Sequence, residues 1–145
     1  MGSEGQLVVV GVDGSAHSAG ALKWAADYCA ATGAHGRAVL AWHYPAATTP
    51  ALIGRAPSTV TEEVRQQVAQ TLAQAVEDAI PGAAIDQEVG YGHPAEVLID
   101  QSTEADLLVL GSRGHSAFTG MLVGSVSMHC VTHAHCPVVV VREGA

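Results

Sequence analysis

Three apolar runs constrain this chain more than any other feature. Gln6 to Val12 reads QLVVVGV, Leu107 to Leu110 reads LLVL, and Val138 to Val141 is four valines in a row. A strand with one wet face alternates apolar and polar residues, whereas a continuous β-branched run predicts a strand covered on both faces, as in a parallel sheet. Parallel strands need crossovers, and the intervening segments supply them. Ala16 to Thr32 places Ala19, Leu22, Ala25, Ala26 and Cys29 at helical spacing, with Ser15 or Ser18 as a cap and Gly33 as a stop.

The remaining segments extend the alternation. Arg37 to His43 is expected to be the second strand, followed by a Pro-, Ala- and Thr-rich loop from Tyr44 to Pro57 that is long enough for a lid. Thr59-Val60-Thr61-Glu62 fits a capping box opening a helix with Val60, Val64, Val68, Leu72, Val76 and Ala79 on one stripe, stopped by Pro81-Gly82. Ala84 to Gly90 alternates and reads as a half-buried third strand at an edge. Pro94 opens a short helix running to about Thr103, Asp106 to Leu110 is the fourth strand, and Ser125 to Ala134 is the fourth helix. The order βαβαβαβαβ with right-handed crossovers predicts one α/β domain: a doubly wound, five-stranded parallel sheet with helices on both faces. A strand order of 3-2-1-4-5 puts the switch point between the first and fourth strands, where ligands bind at the carboxyl ends.

Candidate chemistry gathers at those ends. Asp13-Gly14-Ser15 follows the first strand. Gly111 and Gly114 follow the fourth, with Arg113 between them, and Gly124-Ser125 comes later, in the pattern Gly-x2-Gly-x9-Gly-Ser. Glycines let backbone approach a ligand closely, and Gly124 sits where a turn can also require positive φ. A helix start offers N–H groups and a positive dipole end to phosphate, with Ser125 as N-cap or phosphate donor. The alternative is that these glycines only turn the chain and cap a helix. Asp13, likewise, is either a Mg²⁺ ligand or a turn carboxylate held by local N–H groups.

Charge and composition narrow the partners. Of 145 residues, 48% are hydrophobic and 14% charged, which excludes a disordered chain. The net charge of −8, with six scattered basic residues, leaves no basic patch for nucleic acid. Cys29, Cys130 and Cys136 are an odd number in a chain of ordinary size, so a reducing cytoplasm is expected rather than a disulfide framework. Met1 to Gln6 lacks the pattern of a signal peptide, and no run is long enough for a membrane span. His129, His133, His135 and Cys136 have zinc-type chemistry but no supporting Cys-x2-Cys pair, so surface and interface histidines are the expectation.

The chain resembles the ATP-binding branch of the universal stress protein family. The resemblance rests on Val10-Gly11-Val12-Asp13-Gly14-Ser15, on the glycine pattern through Ser125, and on the ending Ala134 to Val141. It implies an adenine nucleotide across the strand ends. Val12 and Ala41 would border the base, and Asp13 would lie near ribose and phosphates, acting through Mg²⁺. Gly111, Arg113 and Gly114 would line the ribose and phosphate path, and Gly124, Ser125, Val126 and Ser127 would hold the phosphates. It also implies a homodimer through the last strand, an apolar edge that needs covering. The expected function is ATP-dependent sensing or signalling in a stress response. The alternatives are a slow ATPase or nucleotide-transferring enzyme, and a cyclic-AMP-binding or nucleotide-free interaction module. Asp13 is the sole candidate catalytic group, and the lysine of a phosphate-clamping P-loop is missing, which favours binding over turnover.

Overall fold

A computed structural model describes residues 5–42, 57–112 and 124–142, with side chains of the long second helix from Glu62 onward. The elements are β1 (Leu7–Gly11), α1 (Ala16–Thr32), β2 (His35–Trp42), α2 (Pro57–Ala79), β3 (Asp86–Tyr91), α3 (Pro94–Ser102), β4 (Leu107–Gly111), α4 (Ser125–His133) and β5 (Val138–Val141). The five strands form one sheet in the order β3-β2-β1-β4-β5. Every pairing is parallel. The expected order and switch point therefore hold.

The apolar runs are continuous because both faces are covered. Val8, Val10 and Val12 point to the side of α1 and α2, where they meet Ala21, Leu22, Ala25, Leu72 and Val76. Val9, Leu108 and Leu110 point the other way, against Val97 and Leu98 of α3 and Cys130 of α4. The central valines Val8 to Val10 are almost wholly excluded from solvent. Burying each contributes roughly 1.5–3 kcal/mol. The α2 stripe works as expected, with Leu72, Val76 and Ala79 buried.

Three boundaries differ from expectation by two residues or more. The second helix begins at Pro57, ahead of the capping box proposed at Thr59. Proline at a first helical position loses no hydrogen bond, which favours the earlier start. β2 starts at His35, because Leu7 pairs with it across the sheet. β3 runs Asp86–Tyr91 rather than Ala84–Gly90, in register from Arg37↔Asp86 to Trp42↔Tyr91. Pairing with β2, not local alternation, sets its limits. The expected lid, residues 44–57, lies outside the described residues save for Pro57.

At the amino end of the sheet, Arg37 holds β2, β3 and the end of α3 together. Its Nη1 donates to Gln101 Oε1 at 2.8 Å and Glu104 Oε1 at 3.0 Å, and Glu88 lies 3.6 Å from its Nε. This leaves the opposite, carboxyl edge for the site.

Candidate functional site

The turn after β1 is tied by its own side chains. Ser15 is the N-cap of α1, and its Oγ accepts the Ser18 N–H at 3.3 Å. The Asp13 carboxylate accepts the Ser15 N–H at 2.9 Å. The buried Ser18 hydroxyl accepts the Asp13 N–H at 3.3 Å and donates to the Ser15 carbonyl at 3.1 Å. One Asp13 carboxylate oxygen thus ties the turn, and the side chain is half-buried at the end of β1. Val12 is buried, and its N–H continues the β1–β2 pairing to Val39 O at 2.9 Å.

The end of β4 is built differently. A Cβ on Gly111 would stand 2.6 Å from the backbone carbonyl of His17. Gly111 is therefore glycine so that β4 can lie against the first turn of α1, a steric reason that spacing alone does not reveal. Ser112, buried at 3% exposure, joins three elements. Its N–H donates to Val141 O of β5 at 2.8 Å, its carbonyl accepts the Gly124 N–H, and its hydroxyl lies 3.4 Å from His17 Nδ1. Ser112 and His17 were not among the expected site residues; their only sequence signal is adjacency to Gly111 and to the Asp-Gly-Ser turn.

α4 then starts beside this junction. Its N-cap is Gly124 and not Ser125, with φ −73° and ψ 169° and no side-chain capping bond. That is extended backbone open to any residue, so the expected need for positive φ does not hold. Ser125 is exposed at the first helical position. Val126 packs partly against the α3–α4 core. The buried Ser127 donates its hydroxyl to Gly111 O at 2.6 Å, fastening the helix start to the strand end. Ala41, half-buried near the end of β2, packs on the same α3–α4 side. Val12, Asp13, Ala41, Gly111 and Gly124 to Ser127 thus share the carboxyl edge, while Arg113 and Gly114 lie outside the described residues.

Two other groups of side chains carry potential chemistry. Burial raises all three thiols, Cys130 to about 11, and the Asp106 carboxylate adds to the effect at Cys136, so none is held as a reactive thiolate. The His129 and His133 rings lie 4.8 Å apart, but no group of three metal-type ligands occurs among the described residues. A cleft of about 150 Å³ near Ser15, Lys23 and Asp78 flanks α1 and α2 and does not include Gly111 or Gly124. No helix among the described residues is long and apolar enough to cross a membrane.

The model of the universal stress protein family matches residues 6–142. The chain belongs to that family. Universal stress protein Rv2623 of Mycobacterium tuberculosis is 34% identical over 142 residues, spanning 94% of this chain and 45% of that protein. The chain thus spans about half the length of such curated relatives. Among solved structures, UspA from Lactobacillus plantarum is similar at 26% identity and a TM-score of 0.66, over 95% of this chain and 98% of that one. A universal stress protein in complex with cAMP is similar at 28% identity and a TM-score of 0.63, over 94% and 96% of the respective chains.

Proposed function

We propose that this chain binds an adenine nucleotide, ATP with Mg²⁺, along the carboxyl edge of its sheet and acts as a nucleotide-occupancy sensor in stress signalling. The observation that carries this reading is the start of α4. It stands at the topological switch point, fastened to β4 through Ser127 and Gly111, and presents a glycine N-cap with no side-chain cap. Such a helix start is suited to phosphate. In this reading Val12 and Ala41 border the base, and Asp13 acts through Mg²⁺, since a bare carboxylate repels phosphates. Gly111, Arg113 and Gly114 line the path, and Gly124 to Ser127 receive the phosphates. Chelation of Mg²⁺ should then weaken ATP binding by the parent more than by Asp13→Asn; equal weakening removes Asp13 from the metal site.

Cyclic AMP is the second reading, favoured by the cAMP complex of the 28%-identical neighbour. Mass spectrometry of small molecules released from the purified, denatured protein separates the two. ATP is expected; cAMP selects the second reading, and no nucleotide with no binding in titration removes both. A turnover assay at saturating Mg-ATP is expected to show at most slow hydrolysis.

We also place the protein in the cytoplasm, with free thiols as the supporting observation, and pair it with a second copy through β5. β5 is an edge strand whose four valines are only half-buried, a surface that invites pairing. Sizing of the purified protein should give a dimer; a monomer at working concentration contradicts the pairing.

A further inference from the structure

Large apolar side chains that stand out of the core are not spread evenly over the molecule. Among the described residues they are Trp24, Tyr91, Met128 and Val131. All but Tyr91 flank one element, the edge strand β5.

On one face of the sheet the flank is α1. A Cβ on Gly20 would lie 3.7 Å from Val141 Cγ1, so this side of α1 lies against β5. Residues four apart share a helix face, which puts Trp24 and Tyr28 in line with Gly20. α1 runs back along the sheet, and four residues advance it by about 6 Å, or about two strand residues. Trp24 is therefore level with Val139, in mid-strand. Its ring stacks on the half-buried Tyr28, with centroids 5.3 Å apart and planes at 12°. Tyr28, Val139 and Val141 all pack against the α1–α2 side of the core.

On the other face the flank is α4. Ser127 and Cys130 are its buried residues and mark the side turned to the sheet. Each residue of a right-handed helix advances about 100° around the axis. Because α4 runs opposite to β4 and β5, that sense turns Met128 and Val131 toward the open edge and Val126 toward α3. Val126 does pack in the α3–α4 core, while Met128 and Val131 are exposed.

The band formed by Trp24, Tyr28, the four valines, Met128 and Val131 contains no carboxylate, and Arg142 stands at its end. The whole chain carries a net charge of −8, so two copies repel unless such an uncharged surface brings them together. An edge strand offers its free backbone groups to another strand, and a second β5 running antiparallel offers the same groups back. Four residues make an edge only about 13 Å long. That is too little for the roughly 800 Å² per partner of a stable interface, and the two flanking helices can supply the rest.

We infer that a second copy of this chain covers the whole band, with Trp24 as the anchor. Two-fold pairing of β5 sets α1 beside its own copy on one face and α4 beside its own copy on the other. Trp24, level with mid-strand, then lies near the axis, and tryptophan is among the residues that most often anchor interfaces. This rests on the β5 pairing proposed above and names the side chains that make it stable.

Sedimentation of the purified chain over a concentration series tests it, on the parent, Trp24→Gln, Met128→Gln and His129→Gln. Circular dichroism of the same samples checks the fold. Trp24→Gln should raise the dimer dissociation constant by about 30-fold or more, the mark of an anchor, and Met128→Gln by about 5-fold. His129→Gln, on the side of α4 away from β5, should leave it unchanged. A parent dimer whose constant is unchanged in folded Trp24→Gln overturns the inference and leaves β5 pairing standing. Should Trp24→Gln not fold, an unchanged constant in Met128→Gln does the same. A monomeric parent overturns both, and the band then belongs to a different partner.

Discussion

α1 and α4 both begin at the carboxyl edge of the sheet, one after β1 and the other after β4, and their first turns are built in opposite ways. At α1 the donors are taken by neighbours: Ser15 N–H by Asp13, Ser18 N–H by Ser15, and Asp13 N–H by Ser18. The Asp13 carboxylate also sets a negative charge at the positive end of the helix dipole. At α4 the cap is a glycine, with no side-chain capping bond and no acidic residue in the first turn. Side chains there fasten the helix to β4 instead, through Ser127. One helix start is capped by its own side chains and the other has no side-chain cap, the feature on which the proposed anion site rests.

The largest expected effect comes from the strand end that both helices share. Gly111→Ala drives a methyl into the His17 carbonyl, which can yield only by backbone movement. A loss of about 3 kcal/mol is expected in denaturant unfolding. A near-neutral result would mean that β4 and α1 are not locked together as described. Ser127→Ala is next. It leaves the Gly111 carbonyl without its side-chain donor, and about 2 kcal/mol should be lost. Because this bond positions the open helix start, ATP affinity should fall with it; unchanged affinity would separate the junction from the site.

Ser15→Ala is the smallest. Removing the α1 cap should cost about 1 kcal/mol of stability. Since that turn is closed, ATP affinity measured on the folded variant should stay at the parent value. A variant that folds normally but loses ATP would reverse the roles of the two turns.

Much of this arrangement was legible in the residues. Apolar runs covered on both faces are hard to mistake for anything but a parallel sheet, and Asp13-Gly14-Ser15 announces its cap because the chemistry is local. What stayed hidden depends on contacts distant in sequence. The steric demand at Gly111 comes from His17, 94 positions away in the chain. The limits of β3 come from pairing with β2, and the Arg37 ties to Glu88, Gln101 and Glu104 cross three elements. Gly124 was singled out correctly as the start of α4, but for a backbone reason that its φ of −73° removes. In the proposed reading its importance lies in the side chain it lacks.

That lack can be tested with one substitution that pulls structure and binding apart. Aspartate is among the best N-cap residues, and its charge suits a helix start, so Gly124→Asp should leave the ligand-free melting temperature unchanged or raise it. The same carboxylate occupies the N–H groups assigned to phosphate and repels the anion. Thermal unfolding with and without Mg-ATP reads both effects together. For the parent, a hundredfold excess of nucleotide over Kd should stabilise by about 2.7 kcal/mol. For Gly124→Asp that gain should vanish while the fold remains intact. An ATP-induced rise as large as the parent's would contradict the assignment of α4 as the open, anion-binding helix start.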